Sequence, residues 1–264
     1  MLFFLKLGGS IITNKDIPFS ARKDVIQRLG EEIAQAIEEK PNLKLLIGHG
    51  SGSFGHAAAH QFGTRDGIRS KGDWLGFQKV WTAAHQLNQI VVEIFSKVGL
   101  PVVSFPPSAS LITVNHEVKS WMIEPIKASF ENNLLPIIFG DVVFDRVTGA
   151  TILSTEELFS HLASKFHPDK ILLAGIEGGV FRDFPKCHDL IEIITPALFP
   201  KFSGKITISS STDVTGGMKS KVQNMMELIQ KEKNMTVQIF SGEKNNSVYK
   251  ALCEEKIGTL LSSD

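Results

Sequence analysis

Cysteine is nearly absent from this chain: Cys187 and Cys253 are the only two in 264 residues. They share neither the close spacing of a zinc site nor a C-x-x-C redox motif, so reduced thiols in a cytoplasmic setting are expected. An excess of either charge is also missing. Lys and Arg number 28 against 28 Asp and Glu, which removes the global field that recruits nucleic acid or another polyanion. An anionic ligand must then be held by local lysines and backbone amides. No window approaches the roughly 18 apolar residues of a membrane span, so no membrane partner is expected. The apolar start, Met1 to Leu5, lacks a basic flank and a cleavage site and runs on into Gly8-Gly9, so a secretory signal is not expected. Low-complexity linkers and internal repeats are missing too. The length suits one large α/β domain over residues 1–264, or two closely fused lobes.

What is present is alternation. Leu2 to Leu7 reads as a strand, and residues 11–20 as a loop with Lys15 near its middle and Pro18 near its end. Arg22 to Lys40 reads as an amphipathic helix with Ile26, Leu29, Ile33 and Ile37 on one face, and Leu43 to Ile47 as a second strand. Strand, helix, strand implies a parallel, buried sheet. A long helix follows over Lys71 to Val98, with Trp74, Phe77, Trp81, Ala84, Leu87, Val91, Phe95 and Val98 at spacings of three and four. Strands are predicted at 101–105 and 135–139, hairpins at 111–120 and 142–153, and a helix at 122–132. The second half reads as helix 155–166, strand 170–174, a glycine-rich hairpin at 175–185 and an irregular stretch at 186–212. Helix 216–233, strand 236–240, a short helix at 246–253 and a closing segment at 258–261 complete it. The pattern predicts a three-layer α/β/α sandwich around one mostly parallel central sheet.

Three glycine-rich turns follow strands or open helices: 8–10, 48–55 and 216–217. Loops at the carboxyl ends of parallel strands converge on one edge, where ligands bind, so the first two turns should lie side by side. The stretch Gly48-His49-Gly50-Ser51-Gly52-Ser53-Phe54-Gly55-His56 lacks Cβ atoms at four positions, where backbone can turn sharply and approach a ligand. Amides at a helix N-terminus favour an anion, most often phosphate. His56 adds a titratable donor at its edge, whereas His49 reads as structural. Thr215-Gly216-Gly217-Met218 opens another helix, with Asp213 before it and Lys219 and Lys221 in its first turns. Gly50-x-Gly52-x-x-Gly55 has the form of a dinucleotide fingerprint, but the following strand ends in Phe105-Pro106-Pro107 and supplies no acidic partner. The Walker phosphate-loop sequence is absent. Lys6 stands in an apolar strand directly before Gly-Gly, where an ammonium is costly unless an anion meets it.

Lys6-Leu7-Gly8-Gly9-Ser10, Gly50 to His56, Gly140-Asp141 and the run from Asp213 to Lys221 resemble the amino acid kinase superfamily, in order and over nearly the whole chain. Within it, Phe54-Gly55-His56 together with Lys15 is most similar to the isopentenyl phosphate kinases. The resemblance implies transfer of the ATP γ-phosphate to the phosphate of isopentenyl phosphate, giving isopentenyl diphosphate and ADP, with Mg2+ and a homodimer. It implies a phosphate-acceptor lobe mainly within 1–153 and a nucleotide lobe mainly within 154–264. Lys6, Lys15 and His56 would be catalytic. Lys6, Gly8, Gly9, Ser10, Gly52, Asp213, Gly217 and Lys221 would hold the nucleotide, and no residue is assigned to a metal. Ser51, Gly55, His56 and Thr155 would meet the substrate. Trp74, Phe77 and Trp81 would wall its apolar tail, although their spacing alone reads equally as core or dimer face. The chemistry fits these residues, because a phosphate monoester has its second pKa near ~6 and is a competent nucleophile without a carboxylate base.

The chain also departs from that pattern. Ser51 stands where many relatives have glycine. Ser154-Thr155-Glu156-Glu157 replaces Ser-Gly-Asp-Asp, and the Thr155 side chain is expected to narrow the substrate side. Gly175 to Val180 lacks the usual aspartates, leaving Glu177 and Asp183 as candidates for the nucleotide loop. The alternatives are a fosfomycin-type phosphonate kinase, a carboxylate kinase, and a nucleotide-binding regulator on the same scaffold.

Overall fold

Strands that are apolar at nearly every position belong between two layers of helix. The computed structural model, which describes residues 1–55, 67–203 and 217–263, places them there. The central sheet takes its strands in the order β10 (Ile193–Ile194), β12 (Thr259–Leu261), β11 (Thr236–Ser241), β9 (Lys170–Gly175), β1 (Leu2–Leu7), β2 (Lys44–His49), β6 (Leu135–Phe139) and β3 (Val102–Ser104). Its pairings are parallel except that of β11 with β12. The two-residue period of a strand splits β1 between both faces. Phe3, Leu5 and Leu7 join the core beneath α2 (Lys23–Glu39), α3 (Asp73–Lys97) and α8 (Ser247–Leu252). Phe4 joins the opposite core, beneath α4 (Glu124–Glu131), α5 (Thr155–Phe166) and α7 (Gly217–Lys231). The remaining helical segments are α1 (Gly9–Ile12) and α6 (Phe199–Ser203).

Several elements differ from the sequence reading. The two predicted hairpins join into a second sheet, ordered β5 (Glu117–Trp121), β4 (Leu111–Val114), β7 (Asp141–Asp145) and β8 (Gly149–Leu153), in which β4 and β7 are parallel. An isolated hairpin buries too little apolar surface to be stable, so pairing the two resolves the problem. Residues 9–12 close a short helical turn rather than opening a loop, because burial of Ile11 and Ile12 draws the chain inward. The 175–185 region forms bends closed by one bridge, Phe181 to Leu190, instead of a hairpin. The stretch read as irregular contains β10 and α6. Helix α5 begins and ends at the predicted residues, and its start carries the reason. The Ser154 hydroxyl accepts from the Glu157 amide at 3.2 Å, and the Glu157 carboxylate accepts from the Ser154 amide at 2.6 Å, a reciprocal capping box.

Candidate active site

Adjacent parallel pairing of β1 and β2 sets Leu7 opposite His49, so the turns that follow them emerge together. The Gly50 amide donates to the Leu7 carbonyl at 3.1 Å, and the Gly8 amide to the Ala174 carbonyl of β9 at 2.9 Å. A Cβ on Gly9 would lie 2.5 Å from the Gly52 nitrogen, so the two turns touch backbone to backbone. Gly52 itself has φ +49°, a conformation that side chains disfavour. The Phe54 and Gly55 amides turn back to the Ser51 carbonyl, each at 3.2 Å, and the Ser53 amide goes to Thr13. The amides of Gly9, Ser10, Ser51 and Gly52 keep no acceptor among the described residues. Four donors from two touching turns form a cradle for an anion.

Lys6 reaches this edge from beneath. Side chains two apart on a strand share a face, so Lys6 follows Phe4 toward α5. Phe4 packs on Phe159 of that helix with ring centroids 5.1 Å apart. Glu156, one turn before Phe159, then meets the Lys6 ammonium at 2.8 Å, with both side chains about one-eighth exposed. Lys221, from the start of α7, lies 4.0 Å from the same carboxylate oxygen. Burial works to raise the Glu156 carboxyl. The Lys6 and Lys221 charges and the Lys6 hydrogen bond more than offset this and hold it below the ordinary glutamate value. One carboxylate therefore gathers two lysines from opposite ends of the chain.

Thr155 supports this arrangement from below. Its hydroxyl donates to the His49 carbonyl at 2.7 Å, and its methyl fills the space above Gly48, where a Cβ would come within 2.5 Å of it. At 1% exposure the side chain points into the sheet and does not narrow the substrate side, contrary to the sequence expectation. His49 is fully buried. Its Nδ1 lies 3.1 Å from the Gly50 carbonyl oxygen and its Nε2 faces the Asn88 side-chain amide at 3.3 Å, while the ring stacks on Phe139. Burial pushes its imidazole below the ordinary histidine value, and the Lys6 charge acts in the same direction. His49 thus braces the turn from within the core.

The three aromatic residues of α3 divide into two groups. Phe77 is buried, and with Trp74 it packs on Phe144 of β7, at 4.7 and 6.0 Å between centroids. Trp81 instead donates its indole N–H to the Ser108 hydroxyl at 3.1 Å and packs at a tilt on His85, with ring centroids 4.0 Å apart. His85 Nε2 in turn lies 3.5 Å from Asp141, whose buried carboxylate accepts the Ser108 and Val142 amides. Trp74 and Trp81 remain about two-fifths exposed, so this face of α3 is open to a ligand or a partner.

Lys15 sits on an exposed loop between residues 13 and 21. Ser10 is part-exposed beside the cradle, Gly55 is buried, and Gly217 opens α7 with φ +71°. His56 and Asp213 lie outside the described residues. The sequence reading noted Glu156 only as a departure and passed over Thr13, Phe144 and His85. Nothing local marks these residues, because each acquires its neighbours from a distant part of the chain. Among the described residues, no group of three or more His, Cys, Asp and Glu is placed to hold a metal ion, and no helix is long and apolar enough to cross a membrane.

Comparison with known proteins agrees with this geometry. The sequence pattern of the amino acid kinase family matches residues 1–241. The isopentenyl phosphate kinase of Methanocaldococcus jannaschii is 33% identical, over 98% of this chain and 98% of its own. That of Methanothermobacter thermautotrophicus is 29% identical over 99% of each. An X-ray structure of isopentenyl phosphate kinase superposes with a TM-score of 0.83 at 28% identity, covering 99% of this chain and 100% of the other. Fold, turn order and sequence therefore agree: the chain belongs to the amino acid kinase family.

Proposed function

We propose that the protein is an ATP-dependent kinase that phosphorylates isopentenyl phosphate, releasing isopentenyl diphosphate and ADP. The observation that carries this reading is the convergence of Lys6 and Lys221 on Glu156 beside a four-amide cradle. Bringing two polyanions together requires fixed positive charge more than a base, and the acceptor phosphate is already a dianion at neutral pH. In this reading, the amides of Gly9, Ser10, Ser51 and Gly52 face the transferred phosphoryl group and Lys6 bridges its oxygens. Lys221 and the start of α7 with Gly217 hold the nucleotide phosphates, as does Gly8 through the shape of its turn. Lys15, from its loop, neutralises charge that develops during transfer. His56 donates to the acceptor phosphate, and Asp213 borders the nucleotide.

Glu156 is committed to the two lysines, so magnesium is read as arriving on the nucleotide's phosphates, as part of the substrate. The aromatic group of Trp74, Phe77 and Phe144 suits an apolar tail, whereas a compact phosphonate of the fosfomycin type would call for polar closure. A cytoplasmic homodimer belongs to the same reading. The free Cys187 and Cys253 suit a reducing compartment, and β3 ends the sheet with an edge that a second copy could extend.

A coupled ADP-release assay with isopentenyl phosphate, fosfomycin and acetylglutamate tests the assignment. Turnover is expected with the first. Absence of turnover with it, alongside robust turnover of either other compound, would overturn the substrate. Nucleotide binding without turnover of any would favour a regulator.

A further inference from the structure

Thr13 has no role in the chemistry above, yet its hydroxyl links the segments that do. It caps the C-terminus of α1 and is 1% exposed. Its Oγ1 donates to the Gly9 carbonyl at 2.7 Å and accepts from the Ser53 amide at 3.0 Å. A hydroxyl has one proton to donate and lone pairs to accept with, so a single group joins the turn after β1 to the turn after β2. Gly52 makes this approach possible, because a Cβ there would stand 2.2 Å from Thr13 Oγ1.

Two residues further on is Lys15. Its loop is closed at the base by the bridge between Thr13 and Ala21. It is held further by the Asn14 amide donating to the Ser20 carbonyl at 2.9 Å, and by the Asn14 side chain donating to the Ser20 hydroxyl at 2.8 Å. The loop thus leaves the body of the protein at Thr13, and Thr13 is bonded to both sides of the amide cradle. We infer that Thr13 is a positioning residue, which sets the Lys15 loop in register with the Gly9 and Gly52 turns. The inference rests on the kinase reading for its effect on rate, though not for the contact itself. Phosphoryl transfer depends mainly on placement, and a displacement of about 1 Å can cost about 10²-fold in rate.

Thr13→Val keeps the shape and removes both side-chain bonds, and Thr13→Ser keeps the hydroxyl. Steady-state kinetics should show kcat lowered about 10- to 100-fold in Thr13→Val, with the KM for ATP within about 2-fold of native. Thr13→Ser should stay within about 3-fold of native kcat. If Thr13 acts by positioning Lys15, adding Thr13→Val to Lys15→Ala should cost less than about 3-fold, because the group it positions is gone. Equal impairment of the serine and valine variants would overturn the inference, since the methyl group would then be what matters. Additive losses in the double variant would overturn it as well. Thr13→Ala supplies the same comparison should the valine variant not fold.

Hydrogen exchange separates this inference from the substrate assignment. The Ser53 amide should exchange slowly in native protein and in Thr13→Ser, and at least about 10-fold faster in Thr13→Val or Thr13→Ala. A native Ser53 amide that exchanges freely would overturn the inference. Native protein with a protected Ser53 amide but no turnover of isopentenyl phosphate would overturn only the substrate.

Discussion

Replacing Glu156 with glutamine removes one negative charge and almost no volume from the centre of the site. At 2.8 Å from Lys6 and 4.0 Å from Lys221, Coulomb attraction at an effective dielectric of about 20 amounts to about 6 and 4 kcal/mol respectively. Desolvation of three charged groups offsets most of that, and removing one partner of a buried pair has a net cost of about 3–5 kcal/mol. The glutamine oxygen can still accept from Lys6, so a loss near the lower bound, about 3 kcal/mol, is expected. For a chain of this size that is a fall in Tm of about 6–12 °C.

The same substitution removes the negative charge that Lys6 and Lys221 share, so a nucleotide should stabilise Glu156→Gln more than native protein. Its Kd for ATP should fall while kcat falls as well, because a shared carboxylate no longer fixes the positions of the two lysines. Differential scanning fluorimetry with and without ATP, beside steady-state kinetics, reads all three quantities. The pH dependence adds a check of sign. The folded-state pKa of Glu156 is depressed, so its contribution is complete above its ordinary value of 4.5 and is lost as pH falls through the lower folded value. Native protein should lose stability over that acid range more steeply than Glu156→Gln. Weaker ATP binding, a stability loss under about 1 kcal/mol, or identical acid limbs would each refute the role assigned to Glu156.

Gly52→Ala should destabilise by about 2–5 kcal/mol, from the left-handed backbone and the collision with Thr13 together, as measured by urea denaturation. A loss below about 1 kcal/mol would mean that the turn relaxes. His56→Ala should lower turnover of isopentenyl phosphate by about 10²-fold while the Kd for ATP changes little. Equal loss of both in kinetics and calorimetry would make His56 structural.

Much of this protein was legible from residue order alone. Alternation of apolar runs with 3.6-period helices determined a parallel sheet between helical layers, since each pattern has one way to bury its apolar face. The glycines of 8–10 and 48–55 determined where two turns can touch backbone to backbone, because a Cβ at Gly9 or Gly52 would collide with the other turn. Tertiary structure decided what those turns meet. Lys6 is read from sequence as a lone ammonium, and only the packing of Phe4 on Phe159 brings Glu156 over it. Thr155 reads from sequence as narrowing the substrate side, yet its hydroxyl donates to the His49 carbonyl. Trp74, Phe77 and Trp81 form one helical stripe, but Phe144 and Ser108 divide it between two neighbourhoods. Periodicity follows from local geometry and survives in one dimension. The partner of a charge, a hydroxyl or a ring is set by which strands and helices pack together, and that pairing exists only in the folded chain.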